Sequence, residues 1–151
     1  MPVTSEVAGK IELPVSIETA FEYLSNLEND SLWRKEINQT NMLEKPGLGT
    51  RANEYSNLSN RLQNHLLVLH CIEYEPCSKV VYETLSGSPY YLRSSREFQK
   101  INDSRCVFLY RVTFDHAIVK KALGFSLPGF LLRFGARKDM NSYLKKLKQI
   151  I

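Results

Sequence analysis

The spacing of hydrophobic residues changes period twice along the chain, and these changes divide the sequence into helical and strand segments. After Ser16, which stands where a helix N-cap belongs, apolar side chains recur at helical spacing as far as Leu27. Between residues 36 and 115 apolar and polar positions tend to alternate, which predicts strands. Residues 127–151 return to a helical period.

The strand segments are joined by short connections, often rich in Gly, Pro, Asn or Ser, that are too brief for parallel crossovers. We therefore expect a mostly meandering antiparallel sheet of seven strands, at residues 7–13, 37–43, 50–58, 66–74, 80–85, 90–101 and 105–115. A second short helix is predicted to begin at Asp30 and to carry Trp33.

The closing helix has one apolar stripe, formed by Leu132, Ala136, Met140, Tyr143, Leu144, Leu147 and Ile151. No other segment offers so long an apolar helix to cover the inner face of the sheet. The first turns differ, because Phe130 and Phe134 fall outside the stripe and Arg133 falls within it. Residues 122–137 are accordingly open to four interpretations: packing on the short helices, a gate over a cavity, a membrane-contacting patch, or a dimer contact.

Length and composition fit one soluble domain spanning residues 1–151. The first ten residues lack the basic and then apolar pattern of a secretory signal, so a cytoplasmic location is expected. Cys71, Cys77 and Cys106 include no C-x-x-C pair, which predicts free thiols and no zinc site.

The net charge of +4 is unevenly distributed. Residues 117–151 contain eight Lys or Arg and a single acidic residue, Asp139, whereas residues 1–116 contain 12 Lys or Arg and 15 Asp or Glu. A solvated helix face is the first interpretation of this basic segment, and an anionic ligand or anionic membrane surface is the alternative. Nucleic-acid binding is not expected, because aromatic residues do not interleave with the basic ones.

Sequence motifs for catalysis are missing. There is no G-x-S-x-G, the histidines do not have metal-binding spacing such as H-E-x-x-H, and no Gly-rich loop precedes a helix. We predict neither a metal site nor a cofactor.

Two polar side chains on predicted strands are candidates for contact with a ligand. Arg96 shares its strand face with Leu92 and Phe98, so it is expected to point inward and to need an anionic partner. That partner is an internal carboxylate such as Glu54 or an acidic group of the ligand, unless the parity is wrong and Arg96 faces solvent. His70 is interpreted either as an ordinary strand histidine or as a residue that fixes a polar end of the ligand.

Tyr55, Tyr82 and Tyr110 are amphipathic side chains that suit either core packing or a pocket wall.

Several short segments together resemble those of one superfamily: residues 11–15 (IELPV), 21–26 (FEYLSN), Trp33, 47–50 (GLGT), 73–76 (EYEP), 81–83 (VYE) and 143–148 (YLKKLK). In their order and spacing they resemble the START-like (SRPBCC) helix-grip superfamily, in its polyketide cyclase/dehydrase and lipid-transport branch. The resemblance implies an α+β fold in which a curved seven-stranded antiparallel sheet, with two short helices after the first strand, wraps around the C-terminal helix. It also implies an apolar cavity between sheet and helix, near which Trp33 would lie.

The function expected from the residues and the resemblance is binding or transfer of a hydrophobic or amphipathic small molecule, such as a lipid or polyketide, with an acidic end. The alternative is a polyketide cyclase/dehydrase-type enzyme, in which Arg96, His70 or a cavity tyrosine would polarise a carbonyl or move a proton. The predicted ligand-binding residues are Trp33, Tyr55, His70, Tyr82, Arg96, Tyr110, Phe130, Arg133 and Met140.

Overall fold

The computed structural model describes residues 2–151. In chain order its elements are β1 (Thr4–Leu13), α1 (Ile17–Ser25), a 3-10 helix (Leu27–Leu32), β2 (Ile37–Met42), β3 (Arg51–Ser56), β4 (His65–Glu75), β5 (Lys79–Thr84), β6 (Leu92–Asn102), β7 (Arg105–Asp115), α2 (His116–Leu123) and α3 (Gly129–Ile150).

The strands form one antiparallel sheet of seven strands in the order β1-β7-β6-β5-β4-β3-β2. Strands β2 to β7 form a meander in which consecutive strands pair. Strand β1 lies at the other edge of the sheet and pairs with β7 along its whole length, from Thr4 to Leu13. The predicted α+β architecture of an antiparallel sheet closed by a long helix is confirmed. Short connections explain the meander, since each strand can pair only with the one before it.

The two helical elements after β1 differ in how well the sequence predicted them. Ser16 caps α1 as expected, because its hydroxyl accepts a hydrogen bond from the Thr19 backbone N–H at 3.1 Å. The second element is a 3-10 helix that begins at Leu27 rather than Asp30, because the Asn26 side chain caps it by accepting from the Glu28 N–H at 3.0 Å.

The closing helix α3 begins at Gly129, after Pro128, and its predicted stripe faces the sheet. Leu132, Met140, Leu144 and Leu147 are buried. The helix lies very close to β1 at Gly9. A Cβ added to this glycine would stand 2.6 Å from Leu144 Cδ1 and 2.8 Å from Met140 Cγ.

One helix was not predicted. Asp115 ends β7 and caps α2 by accepting from the Ala117 N–H at 2.9 Å, and Gly124 ends the helix in the left-handed conformation with φ of 84°. Ile118 and Ala122 are the buried residues of α2. Helix α2 therefore supplies only the first two residues of the segment 122–137, and its buried residues line the cavity described below.

The core under α1 and the 3-10 helix is aromatic. Phe21 packs edge-on against Phe98, Phe98 stacks on Phe108, and Phe108 stacks on Tyr110, with ring centroids 5.3–5.8 Å apart. This end of the space between sheet and helices is filled, so any cavity must lie toward α2 and the beginning of α3.

The structure also shows the state of the three cysteines and the hydropathy of the helices. Cys71, Cys77 and Cys106 are free, as predicted. In the part of the chain that the structure describes, no helix is both long and apolar enough to cross a bilayer.

Candidate functional site

A cavity of about 420 Å³ lies between the inner face of the sheet, α2 and the first half of α3. Aliphatic and aromatic side chains form most of its wall, among them Leu92, Val112, Phe114, Ile118 and Leu132. The cavity volume falls within the range typical of small-molecule sites, which are largely apolar with a few placed polar groups.

The cavity reaches the surface at the beginning of α3. Leu131 is part of the wall and is also 43% exposed, so this side chain marks a mouth. Leu127, which precedes α3, also lines the cavity.

The polar groups of the wall lie together at the level of Tyr110. They are supplied by the segment after the 3-10 helix (Arg34 and Glu36), by β3 (Glu54) and by α3 (Asp139 and Tyr143). Phe114, four residues after Tyr110 on β7, belongs to the apolar part. The cavity thus has an apolar end and a polar end, which suits an amphipathic molecule.

Arg34 connects the acidic residues of the polar end. Its guanidinium donates to Asp30 Oδ2 at 3.0 Å, to Glu54 Oε2 at 3.2 Å and to Glu36 Oε1 at 2.9 Å. Asp30 in turn holds Arg96, whose Nη1 and Nη2 donate to the two carboxylate oxygens at 2.8 and 2.5 Å. These five residues form a buried network of three carboxylates and two guanidiniums, called here the Arg34 network.

The Arg34 network leaves some of its acceptor capacity unused. Arg34 donates to Oε1 of Glu36 and not to Oε2. Burial raises the pKa of Glu54 despite the opposing effect of Arg34. The pKa of Tyr143 is also raised, by burial, by the nearby charge of Glu36 and by hydrogen bonding to the Glu36 carboxylate, so its hydroxyl remains protonated at neutral pH.

Of the predicted ligand-binding residues, the structure places Tyr110 and Met140 in the wall of the cavity. Both were expected to face inward, Tyr110 from the alternation of the last strand and Met140 from the stripe of the closing helix. Their positions follow from patterns that are long and regular.

Three other predicted residues are buried behind the wall. Arg96 points inward, as its parity predicted, but its partner is Asp30 and not Glu54. Its guanidinium also lies 5.4 Å from the Trp33 ring and 5.1 Å from the Tyr110 ring. Tyr82 donates its hydroxyl to the Ser25 carbonyl at 2.8 Å. Because Arg96 is paired internally, the reason for expecting an acidic end on the ligand no longer holds.

Tyr55 and His70 lie on the opposite face of the sheet. In β3 the buried residues are Ala52, Glu54 and Ser56, and in β4 Leu67 and Leu69 are buried, so the intervening positions turn away from α3. The inward orientation considered for these two side chains is therefore corrected: alternation assigns neighbouring residues to opposite faces.

Phe130 and Arg133 lie on the surface. Phe130 is 64% exposed, and Arg133 is exposed on the same first turns of α3. They are near the mouth and do not form part of the cavity wall.

Sequence reasoning missed Arg34 and Glu36, and it named Glu54 only as a partner for Arg96. It placed Tyr143 on the inward stripe of the closing helix without naming it as a ligand-binding residue. A usable signal existed for Glu54, because residues 52, 54, 56 and 58 share one face of a strand on which a carboxylate is out of place among small and apolar side chains. Arg34 and Glu36 lie in an irregular segment, where no periodicity shows which way a side chain points.

In residues 2–151 no three His, Cys, Asp or Glu side chains are grouped so that they could hold a metal ion. The functional groups at the polar end are carboxylates, one shared guanidinium and phenolic hydroxyls.

Comparison with known proteins gives structural matches only. No protein family and no curated sequence matches the chain. A START superfamily protein from Mycobacterium smegmatis is 13% identical, with a TM-score of 0.73 over 95% of this chain and 94% of its own.

Two enzymes are similar in structure. An aromatase/cyclase from Streptomyces is 9% identical, with a TM-score of 0.65 over 97% of this chain and 90% of its own. Norcoclaurine synthase from Thalictrum flavum is 14% identical, with a TM-score of 0.61 over 97% of this chain and 94% of its own. At these identities the matches establish the fold alone: the chain has the START-like helix-grip fold that its sequence motifs predicted.

Proposed function

We propose that this protein binds a hydrophobic or amphipathic small molecule in the cavity between the sheet and α3. The supporting observation is the cavity itself, a space of about 420 Å³ with a mainly apolar wall and one polar end. A cavity with such a wall binds apolar groups because the ligand exchanges contact with water for contact with the protein. The similarity to a START superfamily protein and to an aromatase/cyclase agrees with this proposal.

The proposal is tested by filling the cavity. Ala136 lines it, so Ala136→Trp should occupy the space that a ligand needs. The matched control is Ala8→Trp, which adds the same side chain at an exposed position of β1. We expect the wild type and Ala8→Trp to bind the neutral fluorescent probe N-phenyl-1-naphthylamine and Ala136→Trp to bind it at least tenfold more weakly. Equal binding by all three folded proteins would contradict a cavity site.

A surface near the mouth supports a second part of the proposal, contact with an anionic membrane. Phe130, Arg133, Phe134 and Arg137 follow one another at spacings of three, one and three residues, so they share one face of α3, called here the Phe130 face. Phe130 and Phe134 are 64% and 71% exposed. Large apolar side chains interleaved with cations suit the interface of an anionic bilayer, where the rings enter the lipid boundary and the guanidiniums contact headgroups. The ligand would then pass between bilayer and cavity.

The alternative function is a polyketide cyclase/dehydrase-type enzyme. It is favoured by one observation, a buried carboxyl group, Glu54, that faces the cavity and has a raised pKa, as a general acid or base requires. Native mass spectrometry of protein incubated with a poly-β-ketone distinguishes the two functions. Unchanged bound ligand supports binding, and loss of one water that Glu54→Gln slows supports the enzyme.

A further inference from the structure

We infer that the polar end of the cavity recognises a cationic group, such as an ammonium, on one end of an amphipathic ligand. This inference rests on the proposed function, because it concerns the same cavity. It replaces the acidic end that was expected while Arg96 was without a partner.

The Arg34 network has more acidic than basic groups. It contains three carboxylates, on Asp30, Glu36 and Glu54, and two guanidiniums, on Arg34 and Arg96. When Glu54 is ionised, the network carries one net negative charge within the protein; burial raises the pKa of Glu54, and a cation beside it would keep the carboxylate charged. An isolated buried charge is unfavourable, so a cation brought by the ligand would balance it.

Only some of these charged groups face the cavity. Asp30 and Arg96 are fully buried, and neither contributes to the wall. The charged residues of the wall are Arg34, Glu36, Glu54 and Asp139. The only guanidinium among them already donates to three carboxylates, so an anionic ligand would compete for its hydrogens with the groups that hold it in place.

The carboxylate of Glu36 has hydrogen-bonding capacity that Arg34 does not use. Arg34 donates only to Oε1, so Oε2 is open to other donors, among them the neighbouring Tyr143 hydroxyl and a donor on the ligand. A carboxylate oxygen offers two lone pairs and can therefore accept from both. An ammonium group offers three donors and a positive charge, and a hydrogen bond between it and a carboxylate is of the strong, charge-assisted kind.

Asp139 does not supply the missing balance. It is about half exposed and pairs with Lys35 at 3.2 Å. Lys35 balances the charge of Asp139 at the surface, so the uncompensated negative charge lies with Glu36 and Glu54.

The experiment compares three ligands of the same alkyl length that differ in their polar group: octylamine, octanol and octanoate. Each is titrated into the protein calorimetrically at neutral pH and one ionic strength. We expect octylamine to bind at least about tenfold more tightly than octanoate, with octanol between them. The preference should fall to nearly equal affinities in Glu54→Gln and in Glu36→Gln. The control Glu22→Gln removes the same charge from an exposed position of α1 and should keep the preference of the wild type.

The outcomes separate the two proposals. Binding of octanoate as tightly as octylamine would overturn the cationic end while leaving the binding function intact. An amine preference that survives in both Gln variants would overturn the assignment to the Arg34 network. If none of the three ligands binds, the proposed function fails and the inference fails with it. Glu36 is less buried than Glu54, so its variant remains informative if Glu54→Gln does not fold.

Discussion

At the scale of single residues, the charge of Glu54 is the most consequential feature of the cavity. Burial raises its pKa above the ordinary value of 4.5, so the folded protein holds this proton more tightly than the unfolded chain does. The stability that Glu54 contributes is therefore fully present below the unfolded pKa and is lost as the pH rises through the folded one.

We expect Glu54→Gln, which resembles the protonated residue at every pH, to escape this loss. The free energy of unfolding of Glu54→Gln relative to the wild type should increase between pH 4 and pH 7.5, by about 1.4 kcal/mol for each unit of pKa shift. Urea unfolding of both proteins, without ligand, measures the difference. A difference that stays constant or becomes smaller with rising pH would show that burial does not raise the pKa of Glu54.

Arg96 shows what a sequence can predict about a buried charge and what it cannot. Strand parity predicted its inward direction, and the cost of an unpaired buried charge required a partner. Asp30, the actual partner, lies 66 residues earlier in a 3-10 helix. No periodicity links the two positions, so only the fold identifies the pair, and with it the charge that remains for a ligand.

At the scale of elements, the packing of α3 on β1 depends on Gly9. A valine Cβ there would lie 2.6 Å from Leu144 and 2.8 Å from Met140, so α3 must move or its side chains must repack. We predict that Gly9→Val lowers the free energy of unfolding by about 1–3 kcal/mol, as overpacking does.

The control is the same substitution on the helix. A Cβ at Gly135 would meet nothing within 4 Å, and valine has a better helix propensity than glycine. Gly135→Val should be neutral or slightly stabilising by chemical denaturation. Equal destabilisation by the two variants would contradict the close contact of β1 with α3.

The elements predicted well from sequence are those with long regular patterns, such as β7 and the second half of α3. Helix α2 was missed because it has only eight residues, and its amphipathic pattern is too short to distinguish from a connection. Since α2 forms one wall of the cavity, the sequence could not show that this end is enclosed.

At the scale of the whole molecule, two opposite charge features occur together. The outer Phe130 face is basic, whereas the Arg34 network inside the fold has three carboxylates and two guanidiniums. An anionic membrane would attract the first, and a cationic amphiphile held in that membrane would match the second.

The membrane contact predicts flotation with vesicles of phosphatidylcholine and phosphatidylserine, and much less with phosphatidylcholine alone. Burying a phenylalanine contributes about 1.5–3 kcal/mol, so Phe130→Ser with Phe134→Ser should weaken the binding at least tenfold. The control is Leu43→Ser with Leu48→Ser, which removes two exposed leucines outside that face. Loss of flotation in the control, or none in the Phe variant, would contradict a role for the Phe130 face.

The central claim is that a small amphipathic molecule binds inside the fold. It is tested most directly by two-dimensional NMR of isotopically labelled protein titrated with octylamine. We expect the largest shifts at residues that line the cavity, among them Glu54, Tyr110 and Met140, with little change at Tyr55 and His70 on the opposite face. Shifts confined to the outer surface, or no saturable shifts at all, would contradict the claim.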